Sequence, residues 1–323
     1  MKHAADRVAA WAMDNVMYGM MNTLQWRRRG EASTREALEI YLSRASALSR
    51  EEFYRMPPAS RPSIHGGWFE WDSPRPSGHA ENDRARVRFY PAKRPDAPVV
   101  LLLHALMSAS DTGYRRLAAR LNARGWAVAF PHLPYHYSRT PKGTLNGELA
   151  ITADLVRNAE GLRQGVVELR QLMVLLRNRG VREFALLGTS YGGWTAALLS
   201  FLEKDFRFVG LVQPIVNVEK AIWENPGSHS MRRALGRLGH SGGATSRLEH
   251  VGSPLHGIPL CDHRRIVVTA GSYDRVSPPE DLRVLTGRWK GARLLEVRQG
   301  HFGYRALRET VHALEPFLDN SPL

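Results

Sequence analysis

A chain of 323 residues with 43% hydrophobic residues and a mean hydropathy of −0.34 is long enough for one large core and has an ordinary globular balance. No uninterrupted apolar run reaches the roughly eighteen residues of a membrane-spanning helix, and a lone cysteine, Cys261, excludes an intrachain disulfide. The net charge of +14 is arginine scattered through nearly every segment, the pattern of a solvated surface, so no nucleic-acid partner is expected.

The chain opens without the charged, apolar, small-residue order of a secretory leader, which points to the cytoplasm. Apolar residues then recur at helical spacing: Ala9, Ala12, Met13, Val16, Met17, Met20, Met21 and Leu24, with Asp14, Asn15, Asn22 and Gln25 on other faces. This helix either packs its stripe on the core or serves as a methionine-rich cover over an apolar site or a lipid surface. A second helix is expected over 33–48, capped by Ser33 or Thr34, with Glu36 at the capping-box position for Ser33. Proline-rich stretches at 55–64 and 73–80 bracket Gly67-Trp68-Phe69-Glu70-Trp71, which reads as a first edge strand.

From there strands are expected at 87–90, 99–103, 126–130, 184–187, 208–212, 266–270 and 293–297, with 99–103 and the last four as buried strands. Helices fall between them at 111–124, 149–179 (broken near Gly161 or Gly165), 192–202, 278–285 and 304–318. The alternation predicts an α/β fold, a mostly parallel central sheet with helices on both faces, and such sheets gather reacting groups at the carboxyl ends of their strands. One stretch breaks the rhythm. Residues 215–259 are rich in Gly, Ser and His, carry a short basic helix at 231–238, and are too long for a simple connection. The expected organisation is an N-terminal helical extension (1–64), a core (65–214 and 260–323), and a helical, cap-like insertion (215–259).

Gly188-Thr189-Ser190-Tyr191-Gly192 lies directly after a buried strand and directly before a helix. A serine alcohol is a poor nucleophile unless its oxygen stands exposed beside a base, and a tight strand-to-helix turn exposes it. The helix beginning there also aims free backbone N–H groups at the same point. His301, in Gln299-Gly300-His301-Phe302-Gly303, follows the last strand and is the candidate base. Asp274 follows the strand at 266–270 and is the candidate acid that orients it, with Glu219 in reserve. An oxyanion would be met by the backbone N–H of Tyr191 and by an amide of the loop His104-Ala105-Leu106-Met107-Ser108, expected at Leu106. His104, Met107, Tyr135, His136 and Trp194 are the candidate substrate-binding residues.

Together these residues resemble the α/β-hydrolase superfamily over roughly 86–318, although His104-Ala105 stands where His-Gly is commoner. The block Pro131-His132-Leu133-Pro134-Tyr135-His136-Tyr137-Ser138-Arg139-Thr140-Pro141-Lys142-Gly143 is similar to a group of poorly characterised bacterial hydrolases. That group is related to the alpha/beta-hydrolase-domain-containing proteins of animal mitochondria. The resemblance implies an α/β-hydrolase fold and an esterase or lipid deacylase. The residues themselves imply a small-molecule ester with a hydrophobic acyl or aromatic group, attacked by Ser190, with no cofactor and no metal. The same triad serves amide or thioester hydrolysis, carbon–carbon cleavage and acyl transfer, and a non-catalytic binding protein on this fold is the remaining alternative.

Overall fold

The computed structural model describes residues 2–318, with side chains from Ala4 onward. Nine strands form one sheet: β1 (Ser63–His65), β2 (Trp68–Asp72), β3 (Arg84–Tyr90), β4 (Val99–Leu103), β5 (Ala127–His132), β6 (Phe184–Thr189), β7 (Phe206–Val212), β8 (Ile266–Gly271) and β9 (Arg293–Val297). Their order is β1-β2-β3-β5-β4-β6-β7-β8-β9. The pairs from β1 through β3 to β5 are antiparallel, and every pair from β5 across to β9 is parallel. The chain leaves β4 for β5 on one side and returns to β6 on the other, which opens a crevice at the carboxyl end of β4.

Eleven α-helices accompany the sheet among the described residues. They are α1 (Lys2–Arg27), α2 (Arg35–Ala45), α3 (Arg50–Phe53), α4 (Thr112–Ala123), α5 (Leu155–Arg177), α6 (Tyr191–Ser200), α7 (Val218–Trp223), α8 (His229–Arg237), α9 (Glu249–Gly252), α10 (Pro279–Arg288) and α11 (Arg305–Leu318). Strand β4 shows why both faces are covered. Val99, Leu101 and Leu103 point into a core shared with α5, α6 and α10, whereas Val100 and Leu102 point into a second core shared with α4 and α11. No helix among the described residues is long and apolar enough to cross a membrane.

Several elements depart from expectation for identifiable reasons. The edge of the sheet is β1, which pairs with β2 and straddles residue 64, so the boundary expected there falls inside a strand. Helix α5 begins six residues late because the Asp154 carboxylate accepts from the Arg157 N–H and caps it there. It is unbroken at Gly161 and Gly165, where the missing side chains instead let Tyr135 and Pro134 approach closely. Strand β9 pairs only with β8 and is half exposed rather than buried.

The largest departure is α1, whose apolar stripe is only partly turned in. Leu24 is buried and Met17 and Met21 half-buried, but Met13, Val16 and Met20 are exposed, while Asp14, Tyr18 and Gln25 are buried. The polar face is turned in because it has backbone donors to satisfy. Asn22 Oδ1 and Gln25 Oε1 accept from the N–H groups of Ser230 and Met231 in the first turn of α8, and Asp14 meets the loop of His301.

Candidate active site

Ser190 sits at the turn between β6 and α6 with φ 52° and ψ −112°, a conformation that non-glycine residues occupy only when the surroundings impose it. The surroundings here are two close backbone approaches. A Cβ on Gly192 would lie 2.5 Å from the carbonyl oxygens of Leu103 and His104, and one on Gly188 would lie 2.4 Å from the Gly192 carbonyl oxygen. Glycines on both sides of Ser190 therefore let α6 start hard against the end of β4, and the serine is pushed out of the turn.

Ser190 Oγ lies 2.7 Å from His301 Nε2, and His301 Nδ1 lies 2.8 Å from Asp274 Oδ2. The carboxylate accepts the Nδ1 proton, which leaves Nε2 unprotonated and able to accept from the serine hydroxyl. Asp274 is itself held firmly. Its Oδ1 accepts from the N–H groups of Val276 and Ser277 at 2.8 and 2.9 Å, and its Oδ2 also accepts from Gln213 Nε2 at 2.6 Å. Burial pushes the His301 pKa down, but the charge and hydrogen bond of Asp274, aided by the charge of Asp14, outweigh it and hold the value above the ordinary 6.5.

Glu219 is nowhere near this group. Its carboxylate accepts from the N–H groups of Gly243 and Thr245 and from the Thr245 hydroxyl, and so it organises the insertion instead.

In the loop after β4, Ala105 N–H donates to the Tyr114 hydroxyl and Met107 N–H donates to His136 Nε2. The Leu106 N–H between them takes no protein acceptor among the described residues. Tyr191 opens α6, so its N–H belongs to the first-turn donors that the helix leaves unused.

The expected substrate-binding residues mostly serve elsewhere. His104 is fully buried: its Nε2 accepts from Leu133 N–H, its Nδ1 donates to the Ala105 carbonyl, and burial holds its pKa well below 6.5. His136 is equally buried, donates from Nδ1 to the Pro134 carbonyl, and is pushed by burial down to about 4. Both are neutral struts that shape the loop carrying Leu106, a task that needs the two ring nitrogens in opposite roles. Tyr135 is buried at φ 68° against Gly161. The Trp194 indole is buried and donates to the Gly252 carbonyl of the insertion. Only Met107, at φ 54°, remains partly open.

Two further residues join the group. Gln213, at φ 47° after β7, donates through Nε2 to both Asp274 and the Gly300 carbonyl, and its Oε1 accepts from Gln299. Asp14 of α1 accepts from the N–H groups of His301 at 3.0 Å and Phe302 at 3.2 Å.

A strained serine after the central parallel strand, facing a histidine from the loop after the last strand, in a sheet of this order, is the arrangement of the α/β-hydrolase fold, and this chain has that fold. Solved structures agree. The chain superimposes on acetyl xylan esterase 1 from a Thermoanaerobacterium species with a TM-score of 0.55 at 17% identity, covering 88% of this chain and 93% of that one. An acetyl xylan esterase from a Paenibacillus species also gives 0.55, at 14% identity over 90% and 96% of the two chains. A putative hydrolase from Agrobacterium vitis gives 0.53 at 15% identity, over 81% of this chain and all (100%) of that one. No family model and no curated protein matches the sequence.

Proposed function

We propose that this protein is a serine hydrolase that cleaves a carboxylic ester bearing a hydrophobic acyl or aromatic group through an acyl-enzyme on Ser190. The observation that carries this reading is the unbroken chain of hydrogen bonds from Ser190 Oγ through His301 to Asp274, built on a strained turn. Ser190 Oγ attacks the ester carbonyl carbon as its proton passes to His301 Nε2. The N–H groups of Tyr191 and Leu106 receive the developing oxyanion. His301 then returns the proton to the leaving alcohol, and a water activated by the same nitrogen releases the acid. Asp274 keeps the imidazole in the reactive tautomer throughout and stabilises it once charged. Preference for an apolar group rests on Phe302, whose ring stands against His301, and on Leu106, partly open in the loop after β4.

An activated fluorophosphonate ester tests the reading by intact mass. One adduct is expected on the wild type and none on Ser190→Ala, followed by turnover of p-nitrophenyl esters by the wild type alone. A folded wild type that takes no adduct and turns over no ester, short or long, would leave the fold without this activity.

A further inference from the structure

We propose that Asp14, on a helix outside the sheet, is a positioning residue of the active site that fixes the loop of His301. The inference rests on the serine hydrolase reading for its kinetics, but the geometry stands alone. Asp14 is 4% exposed, and its two oxygens divide between two successive amides, Oδ2 taking that of His301 and Oδ1 that of Phe302. The Tyr18 hydroxyl, one helical turn along, donates to Oδ2 at 3.3 Å. A Cβ on Gly300 would lie 2.2 Å from Oδ2, so the loop is shaped to admit this carboxylate.

A buried carboxylate with three donors is not a substitute for Asp274, since it reaches the backbone of His301 and not the ring. Its work is to set where the ring stands and to add a second negative charge near it. The groups facing His301 are then Asp274 from the loop after β8, Asp14 and Tyr18 from α1, and Ser190 from the elbow, with the Arg275 guanidinium beyond Tyr18. A helix that merely covered the core would carry no such charge into the site.

The charge provides the discriminating test. In the wild type the acid limb of kcat/KM should fall above pH 6.5, because neutral His301 is the base and its pKa is raised. Asp14→Asn and Asp14→Ala should each move that limb to lower pH, with kcat at pH 8 reduced roughly 10–100-fold and KM changed less than threefold, the loss being greater for Ala. The low-field Nδ1 proton of His301, followed by NMR, reads the same shift without turnover. Gly300→Ala, which displaces the carboxylate from the other side, should shift the limb likewise and serves where an Asp14 variant does not fold. Folded variants whose limb, NMR titration and kcat all match the wild type would overturn the proposal. If the wild type takes no fluorophosphonate, the hydrolase reading fails, and the NMR shift still decides the role of Asp14.

The outer face of α1 carries a second, independent inference: the structure assigns it to docking on an anionic lipid surface. Between Val8 and Trp26 the only charged side chain is Asp14, which points inward. Val8, Trp11, Met13, Val16 and Met20 are exposed, Val16 at 72% and Trp11 at 65%. Exposed Arg7 and Arg29 stand at the two ends, the latter stacked 3.8 Å over exposed Trp26. Nearby Asp6 and Glu31 are already paired, with Arg305 and with Arg28 and Arg157. A mostly apolar face framed by aromatic rings and exposed arginines, on a chain of net charge +14, complements anionic headgroups above acyl chains. A second copy fits less well, because α1 laid on α1 in either direction sets arginine against arginine.

Sedimentation with phosphatidylglycerol–phosphatidylcholine vesicles tests this against vesicles of phosphatidylcholine alone. The wild type should bind the anionic vesicles at least tenfold more, less so in high salt. Met13→Glu with Val16→Glu should abolish that binding while a soluble p-nitrophenyl ester is still turned over. Equal binding by wild type and variant would overturn the assignment. So would a wild-type dimer in sedimentation velocity that the variant dissociates. Vesicle binding is read without turnover, so it stands apart from the fate of the hydrolase reading.

Discussion

Asp274→Asn is expected to lower kcat by roughly four orders of magnitude in a protein that remains folded, with KM little changed. The reason lies in which way the new amide must turn. Oδ1 of Asp274 accepts from two backbone N–H groups, those of Val276 and Ser277, and only an oxygen can stay there. The amide nitrogen of asparagine is therefore forced into the Oδ2 position, facing His301 Nδ1. A donor there demands an unprotonated Nδ1, which puts the ring proton on Nε2, against Ser190. The serine then has no acceptor for its own proton. Gln213, which now donates to Oδ2, meets a second donor and must also rearrange. Rates of p-nitrophenyl ester hydrolysis, with circular dichroism as the control for folding, measure this directly. A loss smaller than about tenfold in a folded variant would mean that Asp274 does not select the tautomer, and the proposed relay would have to be abandoned.

The core of this arrangement was legible because it is local. Ser190 stands between a run of apolar residues and a helix, and the glycines around it answer to backbone contacts that a strand-to-helix turn cannot avoid. His301 and Asp274 were legible by position, each in the loop after a strand that the alternation of apolar runs makes visible. Asp14 was not. It lies 287 residues from the backbone amide it meets, on a helix whose apolar stripe suggested that the polar face looks outward. Hydrophobic periodicity assumes that the core claims the apolar side, and here unsatisfied amides in α8 and in the His301 loop claim the polar one. Gln213 gave no signal either, since its role depends on a left-handed backbone at the end of β7. His104 and His136 drew attention as polar groups near the carboxyl ends of strands, which is where they are. Sequence could not say that their nitrogens are consumed by backbone groups.

Glu168→Ala is expected to destabilise the fold by about 3–5 kcal/mol, the other large effect. Arg139 lies within the block 131–143, and its side chain is 1% exposed against 7% for Glu168 of α5. The two make a bidentate pair, with Arg139 Nη1 and Nη2 at 2.5 and 2.9 Å from the carboxylate oxygens. The guanidinium also donates to the carbonyls of His132 and Asn82. Removing the glutamate leaves a buried cation without its counter-charge, which costs more than losing a surface pair. Urea unfolding of Glu168→Ala, Arg139→Met and the double variant Arg139→Met with Glu168→Leu separates the contributions. The double variant should recover stability relative to Glu168→Ala but stay below the wild type. The His132 carbonyl then loses its guanidinium donor, and the Asn82 carbonyl keeps only that of Gln164 Nε2, a cost of about 1–3 kcal/mol. A Glu168→Ala variant within about 1 kcal/mol of the wild type would show that the cation is hydrated in place. The same pair anchors the turn that holds His136 under Met107, and so it supports the loop carrying Leu106.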